Sequence, residues 1–266
     1  MIQRAAIALT LAWCAVASAE LPPPPAVQAV RVEERIGAQV PLDLLFSDAT
    51  GKRTQLGEMF DGRRPVLLVM AYVRCEMLCS LVLHGTMDAV KALPLELGRD
   101  YRLVTVSIDH HEETASAAAK QRELLHRIGR EDADGWTYLV GAERPIHLLA
   151  DSIGFHFAWD GRTEQYAHPA VIFVLTPDGR VARYFHGVEY PPVELAAALR
   201  GAASGQLGGS SVAESVLSCF RFDPALRAHR ERIESILQVG AAVVMVILAS
   251  SVLLLFLWER RRRRFA

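Results

Sequence analysis

Two cysteines, Cys75 and Cys79, stand four residues apart, directly after an apolar run and at the predicted start of a helix. Four helical residues rise by about 6 Å, so both sulfur atoms would lie on one helix face, with the alpha carbons within disulfide range. The amide groups of a first helical turn favour negative charge, which lowers the pKa of a thiol there. The pair could therefore form a disulfide or bind a soft metal ion as thiolates.

A purely structural role for the two cysteines is the alternative. They could be a stabilising disulfide or two buried thiols. The loop closed by a Cys75–Cys79 disulfide is very short, so its chain-entropy contribution would be small beside the few kcal/mol that long loops give.

Strand-like and helix-like segments alternate on both sides of the cysteine pair. The predicted strands are Pro65–Tyr72, Arg102–Ile108, Trp136–Val140, Phe155–Trp159, Ala170–Leu175 and Val181–Phe185, and the predicted helices are Glu76–Leu93, Glu112–Ile128, Arg144–Ile153 and Pro192–Arg200. The last two strands are joined by a Thr-Pro-Asp-Gly turn sequence, which is typical of a hairpin. Parallel strands followed by an antiparallel hairpin predict an α/β, thioredoxin-like fold, with a central mixed sheet flanked by helices.

His168 is the candidate third ligand, because two thiolates leave a metal ion short of donors. It directly precedes the first hairpin strand, and in a thioredoxin-like topology that loop packs beside the dithiol. Pro169 stiffens the chain after it. Two thiolates and one imidazole suit copper, whereas structural zinc normally takes four protein ligands. From spacing alone, a histidine 89 residues beyond Cys79 is more typical of a solvated loop.

These motifs resemble those of the Sco/SenC family of copper-binding assembly proteins. The likeness spans about residues 40–200 and comprises, in order, Tyr72, Cys75, Cys79, Val104–Asp109, His168-Pro-Ala and Thr176–Gly179. The resemblance implies a thioredoxin fold and copper bound by Cys75, Cys79 and His168. It also implies a role in building the copper centre of a haem-copper cytochrome oxidase. The implied partners are the oxidase's copper-binding subunit and a copper donor chaperone or thiol reductant.

The sequence also departs from the family pattern. Ser80 follows the second cysteine where many members carry proline, and His110 stands after Asp109 where proline is common. These departures affect redox tuning rather than the ligand set. Two further segments, Tyr184–Pro192 and Cys219–Pro224, are similar to a membrane-anchored bacterial branch of the family.

Other residues are weaker candidates for chemistry. His110 and His111, beside Glu112, could bind a metal, but their position favours a solvated loop ahead of a helix. His84 is predicted to be structural. Cys219 would be an odd third thiol in a processed chain, and could be free, pair between chains or contact metal during transfer.

Both ends of the chain are typical of an exported, membrane-attached protein. Residues 1–19 resemble a signal peptide with a small-residue cleavage site, and residues 20–35 form a Pro-rich linker. The folded domain is predicted over residues 36–203, followed by a flexible juxtamembrane segment at residues 204–235. Residues 236–258 carry no charge and are long enough to form a transmembrane helix, and the basic tail at residues 259–266 predicts a cytoplasmic end. We therefore expect a single-pass protein of the bacterial inner membrane, with its domain on the periplasmic side.

Charge excludes nucleic acid as a partner. The 266-residue chain has a net charge of −1, and five of its arginines, Arg260–Arg264, are grouped at the C-terminus. The remainder is acidic and has no basic stripe.

Two functions compete for the dithiol. The first is a membrane-tethered copper chaperone, and the second is a thiol-disulfide reductase that keeps the oxidase's copper-site cysteines reduced. In the second, Cys75 would attack and Cys79 would resolve the mixed disulfide. The histidine separates the two hypotheses, because a metal site needs it and a redox dithiol does not.

Overall fold

The computed structural model describes residues 29–74, 78–130, 132, 134–208 and 249. The chain divides into two units, Met1–Gly209 and Ser210–Ala266, and all elements given below belong to the first. Among the described residues, no helix is both long and apolar enough to cross a membrane. The predicted signal peptide, most of the predicted linker, the segment beyond Gly208 and the basic tail lie outside the described residues. So do Cys219 and the predicted membrane helix, apart from Ala249.

Eleven strands, one 3-10 helix and four α-helices make up the described domain. The strands are β1 (Arg31–Val32), β2 (Leu45–Asp48), β3 (Arg53–Gln55), β4 (Val66–Ala71), β5 (Arg102–Ser107), β6 (Trp136–Val140), β7 (Phe155–His156), β8 (Ala158–Asp160), β9 (Gln165–Ala167), β10 (Val171–Leu175) and β11 (Val181–His186). The α-helices are α1 (Leu78–Ala92), α2 (Thr114–Arg127), α3 (Glu143–Ser152) and α4 (Pro192–Ala203), and the 3-10 helix is Leu56–Met59.

A seven-stranded sheet in the order β11-β10-β4-β5-β6-β2-β3 forms the centre of the domain. Strands β4, β5 and β6 are parallel, whereas β10 runs antiparallel to β4 and β11 antiparallel to β10. The predicted mixed sheet flanked by helices is therefore confirmed, with the β10–β11 hairpin after the parallel strands; the predicted order is incomplete, because the antiparallel strands β2 and β3 come before them.

Strand β4 is the innermost part of the sheet. All six of its residues are buried, because β5 covers one edge and β10 the other. Burying one valine or leucine side chain stabilises a fold by roughly 1.5–3 kcal/mol, and four of the six residues of this strand are valine or leucine, so it is firmly placed. The chain leaving β4 therefore starts from a fixed point.

Three of the helices form one layer, since α1 contacts both α2 and α4. Gly85, in the middle of α1, lets the segment that joins β11 to α4 pass close to the helix. A Cβ atom at this position would lie 1.8 Å from the carbonyl oxygen of Val188. A methyl group cannot fit there without moving the backbone.

Three small pairings were not predicted from the sequence. The β2–β3 hairpin covers the outer edge of β6, and β8 pairs with β9. The run Phe155–Trp159, predicted as one short strand, is divided between β7 and β8, which have different partners. Strand β1, within the residues assigned to the linker, pairs with β7.

Replacing Gly85 by alanine should destabilise the domain by roughly 1–3 kcal/mol, the usual cost of overpacking. Gly201, in α4, is the matched control, because its added Cβ would meet only the Gln206 side chain, at 3.0 Å. Gly201→Ala should leave stability unchanged or raise it by up to about 1 kcal/mol, as alanine favours helix. Thermal unfolding of both variants, followed by circular dichroism, measures this difference. Equal melting temperatures would contradict the close approach at Gly85.

Candidate metal centre

The candidate site lies at the edge of the sheet where the parallel strands end. The chain leaves β4 at Tyr72 and leaves β5 at Ile108, and the two strands are paired up to Ala71 and Ser107. The carboxyl ends of neighbouring parallel strands bring their following loops together. Ligands of α/β proteins commonly bind at such an edge.

His168 reaches this edge because β10 runs antiparallel to β4. The observed pairing ends with Ile172 opposite Val69, and the chain before β10 lies near the end of β4, where the ring centroids of His168 and Tyr72 are 6.3 Å apart. Tyr72 lies three residues before Cys75 in the sequence. The His168 side chain is buried, with 5% of its surface exposed. The solvated-loop interpretation of this histidine is therefore wrong, because the strand pairing draws it into the fold.

The His168 ring is oriented by its own loop. Its Nδ1 lies 3.0 Å from the carbonyl oxygen of Pro169. A carbonyl oxygen can only accept a hydrogen bond, so Nδ1 donates and carries the proton. The neutral ring then has its lone pair on Nε2. Metal-binding histidines typically donate from one ring nitrogen to a carbonyl or carboxylate and coordinate through the other.

Aromatic rings surround the imidazole. Tyr72 meets it edge-on at 6.3 Å between ring centroids, and Phe155 lies at 6.2 Å. The Tyr72 hydroxyl also accepts a hydrogen bond of 3.1 Å from the backbone N–H of Tyr166. These contacts connect the end of β4 to the strand before His168, and they exclude water from one side of the ring.

The cysteines have different places in the structure. Cys79 is the second residue of α1, so its backbone lies in the first turn of the helix, where the amide groups favour negative charge. Cys75 lies outside the described residues. The convergence of Cys75, Cys79 and His168 on one ion therefore stays a prediction, supported by the contact of the His168 ring with Tyr72, three residues before Cys75.

Glu112 holds the chain that leads into the dithiol. Its Oε2 accepts a 2.9 Å hydrogen bond from the backbone N–H of Val73 and a 2.8 Å hydrogen bond from the Ser107 hydroxyl. The side chain is buried, and this burial raises the pKa of Glu112, against hydrogen bonds from Val73, Ser107 and Tyr138 that lower it. A buried carboxyl group is costly, so its bond to Val73 indicates a positioning role.

Glu112 was not predicted as a functional residue. Its sequence position, just ahead of a helix, is also typical of an exposed acidic residue at a helix start. Its burial depends on the junction of β4 with β5, which the sequence pattern does not show. The available signal was its place three residues after Asp109, in the loop that follows a buried strand.

Three other histidines, His84, His147 and His186, have structural surroundings. His84, predicted to be structural, is partly buried in α1, and burial, with Arg127 and Lys120 nearby, lowers its pKa. His147 stacks on Phe157, and His186 pairs with Glu34 at 2.7 Å. A cavity of about 680 Å³ lies away from the candidate centre, by the loops before β4 and β5. A single ion needs no such volume.

A mixed sheet with a dithiol segment after its central strand and a buried, oriented histidine defines a thioredoxin-like metal-binding or redox protein. The chain belongs to the SCO1/SenC family, whose sequence profile matches residues 40–204. The resemblance noted from the motifs is thereby confirmed. No curated protein matches the sequence.

Solved structures agree with this assignment. A protein of Aquifex aeolicus VF5, provisionally assigned to electron transfer, has 27% identity and a TM-score of 0.57, over 65% of this chain and 96% of that chain. ScoI of Arabidopsis thaliana, solved with copper bound, has 15% identity and a TM-score of 0.51, over 64% and 99%. BsSco, a Sco-family cytochrome c oxidase assembly protein with an identified disulfide switch, has 20% identity and a TM-score of 0.51, over 65% and 98%. The last two comparisons show a shared fold.

Replacing Glu112 by alanine should weaken copper binding about 10- to 100-fold, the usual range for groups that orient metal ligands. The reason is that the Val73 N–H loses its buried acceptor and the segment before Cys75 is no longer held. Glu112→Gln is the matched control, because an amide oxygen can still accept both hydrogen bonds, and its affinity should stay within a few-fold of wild type. Competition titration of reduced protein with a copper(I) chelator measures both. Equal affinities for alanine and glutamine variants would argue against the positioning role.

Proposed function

We propose that this chain is a membrane-tethered copper-binding protein that supplies copper for the copper centre of a haem-copper cytochrome oxidase. The observation that carries the proposal is the buried His168, oriented by Pro169 and placed beside Tyr72, three residues before the first cysteine. A redox dithiol has no need of an imidazole held in this way. A three-donor metal site does.

The donor set favours copper over the other common metals. Cys75, Cys79 and His168 would supply two thiolate sulfurs and one imidazole nitrogen. Thiolates select soft ions such as Cu(I), and a three-ligand site suits an ion that accepts low coordination numbers. Structural zinc normally has four protein ligands. Copper is here the cargo, bound for delivery.

The neighbours in structure support the same chemistry. ScoI of Arabidopsis thaliana was solved with copper bound, and BsSco belongs to a family of cytochrome c oxidase assembly proteins. We extend both properties to this chain as part of the proposal. The partner would then be the copper-binding subunit of the oxidase, and the copper source would be a donor chaperone.

Placement at the membrane is the second part of the proposal. A signal peptide at residues 1–19 would export the domain, and a helix at residues 236–258 would anchor it in the bacterial inner membrane. The arginines at residues 260–264 would stay in the cytoplasm. Tethering on the periplasmic side raises the effective concentration of the copper site near a membrane-bound partner.

A thiol-disulfide reductase is the second candidate function, favoured by the position of Cys79 in the first turn of α1. The Cys75 thiolate would attack a partner disulfide and release one partner thiolate. Cys79 would then attack the mixed disulfide and release the second. The partner gains two electrons, this chain is left with a Cys75–Cys79 disulfide, and an external thiol reductant must restore it.

Removing the His168 imidazole should weaken Cu(I) binding by more than about tenfold, because a lost ligand costs at least as much as a lost orienting group. The test is a competition titration of the full-length reduced chain, comparing wild type with His168→Ala. His84→Ala is the control, since it removes a partly buried histidine of α1 that is not a proposed ligand. If His168→Ala binds Cu(I) as tightly as wild type, the proposed three-ligand site is wrong.

Reduction of a disulfide should depend on both cysteines and not on His168. A synthetic peptide with an internal disulfide serves as the substrate, and release of its thiols is followed with the full-length reduced chain. Cys75→Ser should abolish the reaction, and Cys79→Ser should stop it at the mixed disulfide, whereas His168→Ala should leave the rate unchanged. If the chain reduces the peptide efficiently and His168→Ala binds Cu(I) as tightly as wild type, the results favour the reductase over the chaperone.

A further inference from the structure

The loop after β5 brings together a second set of metal-binding groups. Within the part of the chain that the structure describes, Asp109, His110 and His111 are three metal-ligating residues whose donor atoms lie within 4.8 Å of one another. None of the three belongs to the Cys75, Cys79 and His168 set. The sequence favoured a solvated loop for His110 and His111; His111 is exposed, His110 is partly buried, and Asp109 before them is buried.

Asp109 is fixed before any ion arrives. Its Oδ1 accepts a 2.9 Å hydrogen bond from the backbone N–H of His111 and lies 3.3 Å from Nδ1 of the same residue. The other carboxylate oxygen faces Arg74 at 4.0 Å. A carboxylate oxygen has two lone pairs, so Oδ1 can hold the N–H and still contact a cation. Arg74 is largely exposed and can turn toward solvent.

The two imidazoles are placed beside this carboxylate. Their ring centroids are 3.8 Å apart. Nδ1 of His110 lies 3.3 Å from the Tyr166 hydroxyl, and a ring that donates from Nδ1 has its lone pair on Nε2. This is the support that metal-binding histidines commonly receive from a neighbouring group. His111 is exposed, so its ring can rotate toward an ion.

The spacing of the donors fits one transition-metal ion. Three ligands at about 2.0–2.1 Å from a shared ion are roughly 3–4 Å apart, so donors already within 4.8 Å of one another need to close by about 1–2 Å. Two imidazole nitrogens and one carboxylate oxygen form a borderline donor set. Among divalent first-row ions, Cu²⁺ binds such ligands most tightly.

We propose that Asp109, His110 and His111 form a second metal site, separate from the dithiol, that binds one Cu²⁺ ion with water in its remaining positions. The site lies at the same sheet edge as the candidate dithiol centre, because the loops after β4 and β5 are neighbours. It goes beyond the proposed copper delivery and does not depend on it. The donor sets differ, so the two sites would hold different oxidation states of copper.

The test uses the full-length, untagged chain in which all four cysteines, Cys14, Cys75, Cys79 and Cys219, are replaced by serine, so that thiolates contribute nothing. Titration with Cu²⁺, followed by electron paramagnetic resonance, should show one bound ion per chain, with hyperfine coupling from two nitrogens. In this background, His110→Ala and His111→Ala should each weaken binding by at least about tenfold. Asp109→Asn should also weaken binding.

His147→Ala is the control, because it removes a partly exposed imidazole that stacks on Phe157 and is not a proposed ligand. Its Cu²⁺ affinity should equal that of the parent chain. Since His111 is exposed, His111→Ala should fold normally, which circular dichroism can check. The proposal is overturned if both histidine variants keep full Cu²⁺ affinity, or if His147→Ala loses as much. Neither result tests Cu(I) binding at the dithiol, because the cysteine-free variant has no dithiol.

Discussion

The antiparallel pairing of β10 with β4 is the constraint on which the candidate metal centre depends. Strand β4 leads directly into the dithiol segment, and β10 is directly preceded by His168. Both strands are buried on both faces in a close-packed core, so a shift of one residue would move every side chain into space shaped for a different one. The core therefore fixes the place of His168 without help from a metal. An ion then meets an ordered ligand, and little ordering cost is left to be met by binding.

Glu112 likewise positions the cysteine side of the centre through contacts of the fold, without help from a metal. The backbone N–H of Val73 follows the end of β4, beyond the last pair of the sheet, and as a partly buried donor it needs an acceptor. The Glu112 carboxylate supplies it, at the cost of a buried acidic group whose pKa is raised by that burial. An apolar residue would fill the space with less strain on the fold. The retained polar contact makes sense if the position of the following residues matters for function.

The sequence alone was sufficient to predict the buried central strands of the fold and to identify the candidate ligands. Runs such as Val66–Ala71 are apolar throughout, which is typical of a strand covered on both faces, and the structure places this strand at the centre of the sheet. The β2–β3 hairpin was missed because its strands are short and largely polar. They join the sheet because the outer edge of β6 needs a partner strand, and this need arises from the tertiary structure and not from the local sequence. Burial of Glu112 has the same origin, since it is decided by which loops meet and not by local pattern.

One topological fact accounts for both candidate sites. Neighbouring parallel strands release their chains at the same edge, so the segment after β4 and the loop after β5 must share that edge. The segment after β4 supplies two sulfur atoms, and His168, just before β10, supplies one nitrogen. The loop after β5 supplies two nitrogens and one oxygen. Because softness decides which ion each set prefers, the edge would present copper with two different environments, one suited to Cu(I) and one to Cu²⁺. Tyr166 contacts both, through its backbone N–H to Tyr72 and its hydroxyl to His110, so the two sites rest on a common support.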